Sequence, residues 1–68
     1  MNTEVSWQVM MFPAAEPVSM ASCYDSCGEY PNLEKAETAR AAQQNLEDIN
    51  SVEPPLVFKV VRVTHEIL

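Results

Sequence analysis

The sequence is poor in the groups on which most protein chemistry depends. It contains one glycine, one histidine and two cysteines. A single glycine, Gly28, cannot form a glycine-rich loop around a phosphate, and no pair of carboxylates has a spacing that predicts acid–base geometry. We therefore expect a protein that is not an enzyme and that needs no cofactor.

Long apolar runs are also missing. No stretch approaches the roughly 18 apolar residues that a membrane-spanning helix needs. The first four residues, Met1 to Glu4, carry an acid and no lysine or arginine, unlike a secretory signal. These two absences predict a cytoplasmic protein without a membrane partner.

Basic residues are few. Four lysines and arginines stand against ten aspartates and glutamates, for a formal net charge of −6. Because nucleic-acid binding relies on basic side chains that neutralise phosphates, we expect no direct contact with nucleic acid. The charge favours a partner protein with a basic surface, reached faster by electrostatic steering, although it would also serve solubility alone.

Size and hydrophobicity predict one small folded domain, residues 1–68. The hydrophobic fraction is 47%, ordinary for a globular protein and too high for a disordered one. A chain of this length buries only about 60% of its unfolded surface, so a staple or a partner often adds stability.

The first half of the chain predicts two strands. Residues Glu4 to Phe12 alternate apolar and polar side chains, the period of a half-buried strand, and Pro13 ends it. Val18 to Tyr24 is interpreted as a second strand, although its alanine and serine are weak strand formers. The segment from Asp25 to Pro31, with the glycine and a proline, is expected to be a loop.

The second half predicts a helix and a long strand. Asn32 is a suitable N-cap for a helix that runs to Ile49 and ends at Asn50-Ser51, before the prolines that follow Glu53. We expect its apolar stripe to consist of Ala36, Ala39, Ala42 or Gln43, Leu46 and Ile49. Residues Leu56 to Ile67 form the strongest predicted strand, rich in β-branched side chains.

These elements predict an α+β fold. A right-handed connection from the second strand through the helix to the last strand gives an antiparallel sheet of order 2-1-3, with the helix on one face. A plain βαβ unit without the second strand is the other possibility.

The last strand has more apolar surface than one helix can cover. Its two faces are both apolar, and nothing else in the chain is available for the second face. Exposed apolar patches tend to be interfaces, so we expect a homodimer through the sheet, a surface for another protein, or a strand that projects alone. The candidate contact residues on that face are Val57, Val61 and Val63.

Cys23 and Cys27 form the only motif with reactive potential. Zinc could be bound by both thiolates with His65, with or without Asp25, but this gives few ligands, and a C-x3-C pair without a second pair is a weak signal. A disulfide would help an undersized core, yet is unusual in a reducing cytosol. Two reduced thiols are the leading interpretation, and no metal is expected.

Acidic residues cluster around the helix. If the partner has a basic groove, the candidate binding residues are Asp25, Glu29, Glu34, Glu37, Glu47 and Asp48. A solvated helix surface would show the same pattern.

The closing segment Phe58-Lys59-Val60-Val61-Arg62-Val63-Thr64-His65-Glu66 resembles the last strand of many short phage and prophage proteins. In those proteins a strand with an early tryptophan and an Ala/Glu-rich helix come first, as Trp7 and residues Leu33 to Leu46 do here. Small acidic phage proteins of this kind include inhibitors of host defence, anti-CRISPR proteins among them.

The resemblance implies a protein that blocks a host protein, for defence or for nucleic-acid handling, by occupying its surface. It brings no catalytic residue with it. The alternative function is an assembly subunit that homodimerises through its sheet, and a metal-binding module at Cys23, Cys27 and His65 comes third.

Overall fold

The central strand of the sheet is the first in the chain. The computed structural model describes residues 2–50 and 53–68. Strand β1 runs over Asn2–Pro13 and strand β3 over Leu56–Ile67, and the two pair antiparallel along their whole length, from Asn2 opposite Ile67 to Pro13 opposite Leu56. The bounds of β3 are those predicted, and β1 is longer than expected at both ends.

The second strand, β2, is Asp25–Tyr30 and pairs antiparallel with β1 on its other side. The prediction of a strand at Val18–Tyr24 is therefore wrong. Those residues belong to a connecting loop with one 3-10 turn at Met20–Ser22, while the segment expected to be a loop is the strand. The serines and alanines of the loop have little tendency to extend.

A β-bulge explains how a segment with a glycine joins the sheet. Gln8 lies opposite Glu29 and Met10 lies opposite Ser26, so that Val9 of β1 faces two residues of β2. One of those two, Gly28, has φ +143°, a backbone conformation that favours glycine. The extra residue lets β2 keep its pairing with β1 on both sides of the bulge.

The single helix, α1, spans Leu33–Asn50. The predicted N-cap is confirmed, because Asn32 Oδ1 accepts a hydrogen bond of 2.9 Å from the backbone N–H of Lys35. Of the predicted end Asn50-Ser51, residue 51 lies outside the described residues. The element order is ββαβ and the sheet order is β2-β1-β3, so the predicted α+β fold is confirmed.

The helix presents a different stripe to the sheet from the one predicted. Ala36 is fully buried and Gln44 is half-buried, but Leu46 and Ile49 are 56% and 69% exposed. At about 100° per residue, Ile49 lies roughly 140° around the helix from Ala36. The apolar pattern therefore points partly to solvent, and Gln44 replaces Leu46 as the residue that meets the sheet.

The core is small, and its buried apolar side chains are Val9, Met10 and Phe12 of β1, Ala36 of α1 and Phe58 of β3. Val9 and Ala36 are both 0% exposed, and Phe12 is 1% exposed. The Cα trace measures 45 × 24 × 13 Å, because β1 and β3 continue together beyond the end of β2. We call this extension, Asn2–Ser6 paired with Val63–Ile67, the ribbon.

In the described part of the chain, no helix is both long and apolar enough to cross a membrane.

Candidate contact surfaces

The helix covers one face of the sheet and leaves the other without a covering helix. Tyr30 lies opposite Trp7 in the sheet and lines a groove together with Thr38, Ala39 and Ala42 of α1. The helix is therefore on the side that carries Trp7. Directly opposed residues share a face and successive residues alternate. We call the other side, which the helix does not cover, the open face. It carries Glu4, Ser6, Gln8, Met10 and Phe12 from β1, and Val57, Lys59, Val61, Val63 and His65 from β3.

The open face brings the three predicted valines together. Val57, Val61 and Val63 are each half-buried, while Met10 and Phe12 beside them are buried. Met10 and Phe12 thus belong to the core on this side of the sheet, and the three valines beside them remain partly accessible. Its use as a partner-binding surface stays a prediction.

Polar side chains form the β2 side of the open face. Gln8 accepts a hydrogen bond of 3.1 Å from the Ser26 hydroxyl through its Oε1. Its amide Nε2 donates to Glu29 Oε2 at 3.3 Å. This chain of bonds holds the Glu29 carboxylate on the same face as the valines.

An open depression of about 570 Å³ lies where β2 ends and the ribbon begins. Two carboxylates line it, those of Glu4 and Glu29, together with His65. Ser6 Oγ and His65 Nε2 are hydrogen-bonded at 2.9 Å, which links β1 to β3 across the ribbon. The rest of the lining comes from Val5, Tyr30 and Pro31.

Sequence reasoning missed Glu4 and Ser6 as parts of a site. Alternation places both on the same side of the first strand, a signal that was available from the start. The position of His65 against them depends on the register of two strands far apart in the sequence. That register is a tertiary property, so the depression as a whole was not predictable.

A serine–histidine hydrogen bond is also the contact that activates a serine nucleophile in hydrolases. Here Ser6 lies within a regular strand, where peptide N–H groups point along the sheet toward neighbouring strands and not above it. Such a setting directs no backbone donor at a developing oxyanion over Ser6. The contact is best interpreted as a cross-link of the ribbon.

The predicted acidic residues do not form one surface. Glu29 lies on the open face, while Glu34, Glu37, Glu47 and Asp48 belong to the helix on the other side of the sheet. Asp25 begins β2 opposite Met11 and is exposed.

The helix acids also differ in their contacts. Glu37 forms an exposed ion pair of 3.3 Å with Arg40, and Asp48 accepts a hydrogen bond from Gln44. Glu47 is half-buried, and within the described residues its buried Oε2 has no hydrogen-bond partner. Glu34 and Glu37 are exposed in the N-terminal half of the helix, and Asp48 is exposed near its C-terminal end. Whether a partner contacts any of them stays a prediction.

The two cysteines are free thiols. Cys23 Sγ donates weakly to the backbone oxygen of Asp25 at 3.6 Å. Burial raises the pKa of the Cys27 thiol, and the negative charges of Asp25 and Cys23 raise it further. Among residues 2–50 and 53–68, no three histidine, cysteine, aspartate or glutamate side chains are grouped so as to hold a metal ion. The set Cys23, Cys27 and His65 considered for zinc is thus not assembled there.

The fold and these surfaces define a class: a small α+β protein with a three-stranded antiparallel sheet that a helix covers on one side. No family of known proteins, no curated protein and no solved structure matches the chain. The surfaces of the chain are therefore the basis on which its function is inferred.

Proposed function

We propose that the chain is a non-enzymatic binding protein that inhibits a host protein by occupying its surface, as small phage proteins do. The observation that carries the proposal is the open face, where three half-buried valines lie on the same side as the acid-lined depression. Apolar side chains supply contact area and the carboxylates supply charge complementarity. The partner is a basic protein, of the kind that itself handles nucleic acid, and the site of action is the host cytoplasm.

The electrostatic part of the proposal follows from Glu4 and Glu29. Both line one depression beside His65, so a lysine or arginine of a partner can enter between two carboxylates. A charge-assisted pair of this kind is stronger than a neutral hydrogen bond. The net charge of −6 adds long-range attraction that salt screens.

The test is capture of host proteins from lysate by the immobilised protein, with variants of equal charge. The variant Glu4→Lys/Glu29→Lys changes the depression. Glu16→Lys/Glu53→Lys changes two exposed acids elsewhere by the same net charge. We expect the first variant to lose the captured protein at low salt and the second to keep it.

If both variants lose the captured protein equally, net charge alone attracts it and the depression is not a specific site. Retention in both would contradict any role of the depression. A third variant, with Glu34, Glu37, Glu47 and Asp48 changed to lysine, separates the helix acids from the open face.

A second candidate function is an assembly subunit that homodimerises through its sheet. The observation that favours it is the outer edge of β3, where, among residues 2–50 and 53–68, the backbone groups beyond Phe58 have no hydrogen-bond partner.

A further inference from the structure

The outer edge of β3 is occupied at one end only. Phe58 N–H donates to Gln44 Oε1 at 2.9 Å, and Gln44 Nε2 donates to the carbonyl oxygen of Leu56 at 3.3 Å. The Gln44 amide thus bonds to the backbone of β3 as a neighbouring strand would. We call this contact the Gln44 clamp.

The clamp also reveals the direction of every backbone group in β3. Phe58 and Leu56 direct their groups outward, whereas the carbonyl of Pro55 accepts from Ala14 on the β1 side. Since direction alternates along a strand, the even-numbered residues of β3 face outward. Beyond the clamp these are Val60, Arg62, Thr64 and Glu66. Within residues 2–50 and 53–68, no hydrogen bond reaches their outward N–H and C=O groups.

We propose that a second copy of the chain pairs with this free edge, antiparallel, about a two-fold axis at Thr64. The inference deepens the second candidate function and does not depend on the inhibitory role. Two sheets joined in this way form one continuous six-stranded sheet, with both helices on the same side. An unpaired strand edge is a ready template for such pairing.

Charge complementarity selects the register. A two-fold axis at Thr64 places Arg62 opposite the second copy's Glu66, and it does so twice by symmetry. Within the described residues neither side chain has an ion-pair partner in its own chain. Opposite charges directly across a strand pair are stabilising and like charges are destabilising. An axis at Val63 would instead place Arg62 opposite Thr64, and an axis at His65 would place it opposite Leu68. An axis at Arg62 would place two guanidinium groups opposite each other.

The same register matches the side chains on the open face. It places Ile67 opposite the second copy's Val61, and Val63 opposite the second copy's His65. Ile67 is 45% exposed in the single chain, so the pairing gives an apolar side chain an apolar neighbour. The next pair is Leu68 with the second copy's Val60. The pairing ends there, because the following outward residue, Phe58, is already bonded to Gln44.

The interface is narrow: its three central pairs, Thr64 with Thr64 and Arg62 with Glu66 twice, form about six backbone hydrogen bonds. Edge pairing alone falls below the area of a standard stable interface. We therefore expect a reversible dimer, seen at micromolar concentrations and above.

The test is sedimentation equilibrium of the full chain between about 10 µM and about 1 mM, a range chosen for a weak interface. We expect Arg62→Glu and Glu66→Arg each to lower the association constant about tenfold or more, because each creates two like-charge contacts. The double variant R62E/E66R restores opposite charges and should recover association. Lys59→Glu is the matched control, since it reverses a charge on the same strand outside the paired segment.

A backbone variant tests the edge itself. Thr64→Pro removes an outward N–H and leaves the ladder between β1 and β3 intact, because proline is tolerated where a strand N–H faces solvent. It should abolish dimerisation while the circular dichroism spectrum and melting curve remain those of a folded protein. If it unfolds the chain, the charge-swap series still decides the register.

A wild-type chain that stays monomeric at about 1 mM would overturn the proposal, and so would a double variant that fails to recover. Loss of dimer in Lys59→Glu would also overturn this register. These outcomes are independent of host-protein capture, so a monomer that still captures its partner contradicts only the pairing proposed here.

Discussion

The Gln44 clamp should contribute measurably to stability. In Gln44→Ala the N–H of Phe58 and the carbonyl of Leu56, both in a partly buried setting, lose their partner. Each hydrogen bond contributes a net ~0.5–1.5 kcal/mol, and the gain in helix propensity from alanine returns a few tenths of a kcal/mol. We expect the free energy of unfolding to fall by about 1–2 kcal/mol, or about 4–8 °C in Tm for each kcal/mol in a domain of this size.

Urea denaturation provides the overall stability, and amide hydrogen exchange reports on the contact itself. The Phe58 amide should exchange about tenfold faster in Gln44→Ala, beyond any change at Val57, whose N–H faces β1. Gln43→Ala is the matched control. Gln43 is exposed and neighbours the clamp residue, so its replacement should change stability by less than about 0.5 kcal/mol.

An isosteric variant separates the two bonds. In Gln44→Glu the carboxylate still accepts from Phe58 N–H, but it cannot donate to Leu56 and it lies four residues before Asp48, a like charge. We expect a loss of about 1 kcal/mol at neutral pH. Unchanged Phe58 exchange in Gln44→Ala, with unfolding free energy equal to that of Gln43→Ala, would refute the clamp.

Three further predictions concern local structure. Gly28→Ala should cost about 1–3 kcal/mol in urea denaturation, because φ is +143° and a Cβ would lie 2.9 Å from the Tyr30 hydroxyl; a loss near zero would contradict the bulge geometry. Asn32→Ala should lower the free energy of unfolding by about 1 kcal/mol. Asn32→Asp keeps the capping oxygen and should lower it far less. Cys27 should be alkylated more slowly in the folded chain than in urea at mildly alkaline pH, because burial raises its pKa. By linkage, its contribution to stability should decline as pH rises above the pKa of the unfolded thiol, since the unfolded state releases that proton more readily.

Elements with strong local signals were predictable. β3 begins after two prolines and consists largely of β-branched residues, and its observed bounds are the predicted ones. The helix begins after Asn32, whose side chain satisfies a free N–H of the first turn. In both cases neighbouring residues determine the structure, so one sequence is sufficient.

β2 was not predictable by the same means. Asp25–Tyr30 contains a glycine and polar residues and shows no alternation, and its strand conformation depends on pairing with β1. A glycine inside an extended segment can indicate a bulge, which was the one available signal. The β-branched content that identified β3 has no counterpart here.

The orientation of the helix was missed for a related reason. Periodicity assigns the inner stripe to apolar residues, and it selected Leu46 and Ile49. The residue that meets β3 is Gln44, because an amide can satisfy a strand edge and leucine cannot. Reasoning from hydrophobicity alone does not detect a polar side chain that bonds to the backbone of a strand. The three valines of the open face were found because the last strand is apolar on both faces, which is more than one helix can cover.

The two proposals place different demands on the same strand. Val57, Val61 and Val63 point from β3 to the open face, whereas the pairing edge consists of its outward backbone groups, perpendicular to those side chains. A dimer joined at the edge leaves both open faces free and aligned on one side. Both functions can therefore coexist, with two copies presenting twice the contact area to one partner. If they do, variants that abolish dimerisation should weaken host-protein capture through avidity, while the depression variant Glu4→Lys/Glu29→Lys should dimerise normally.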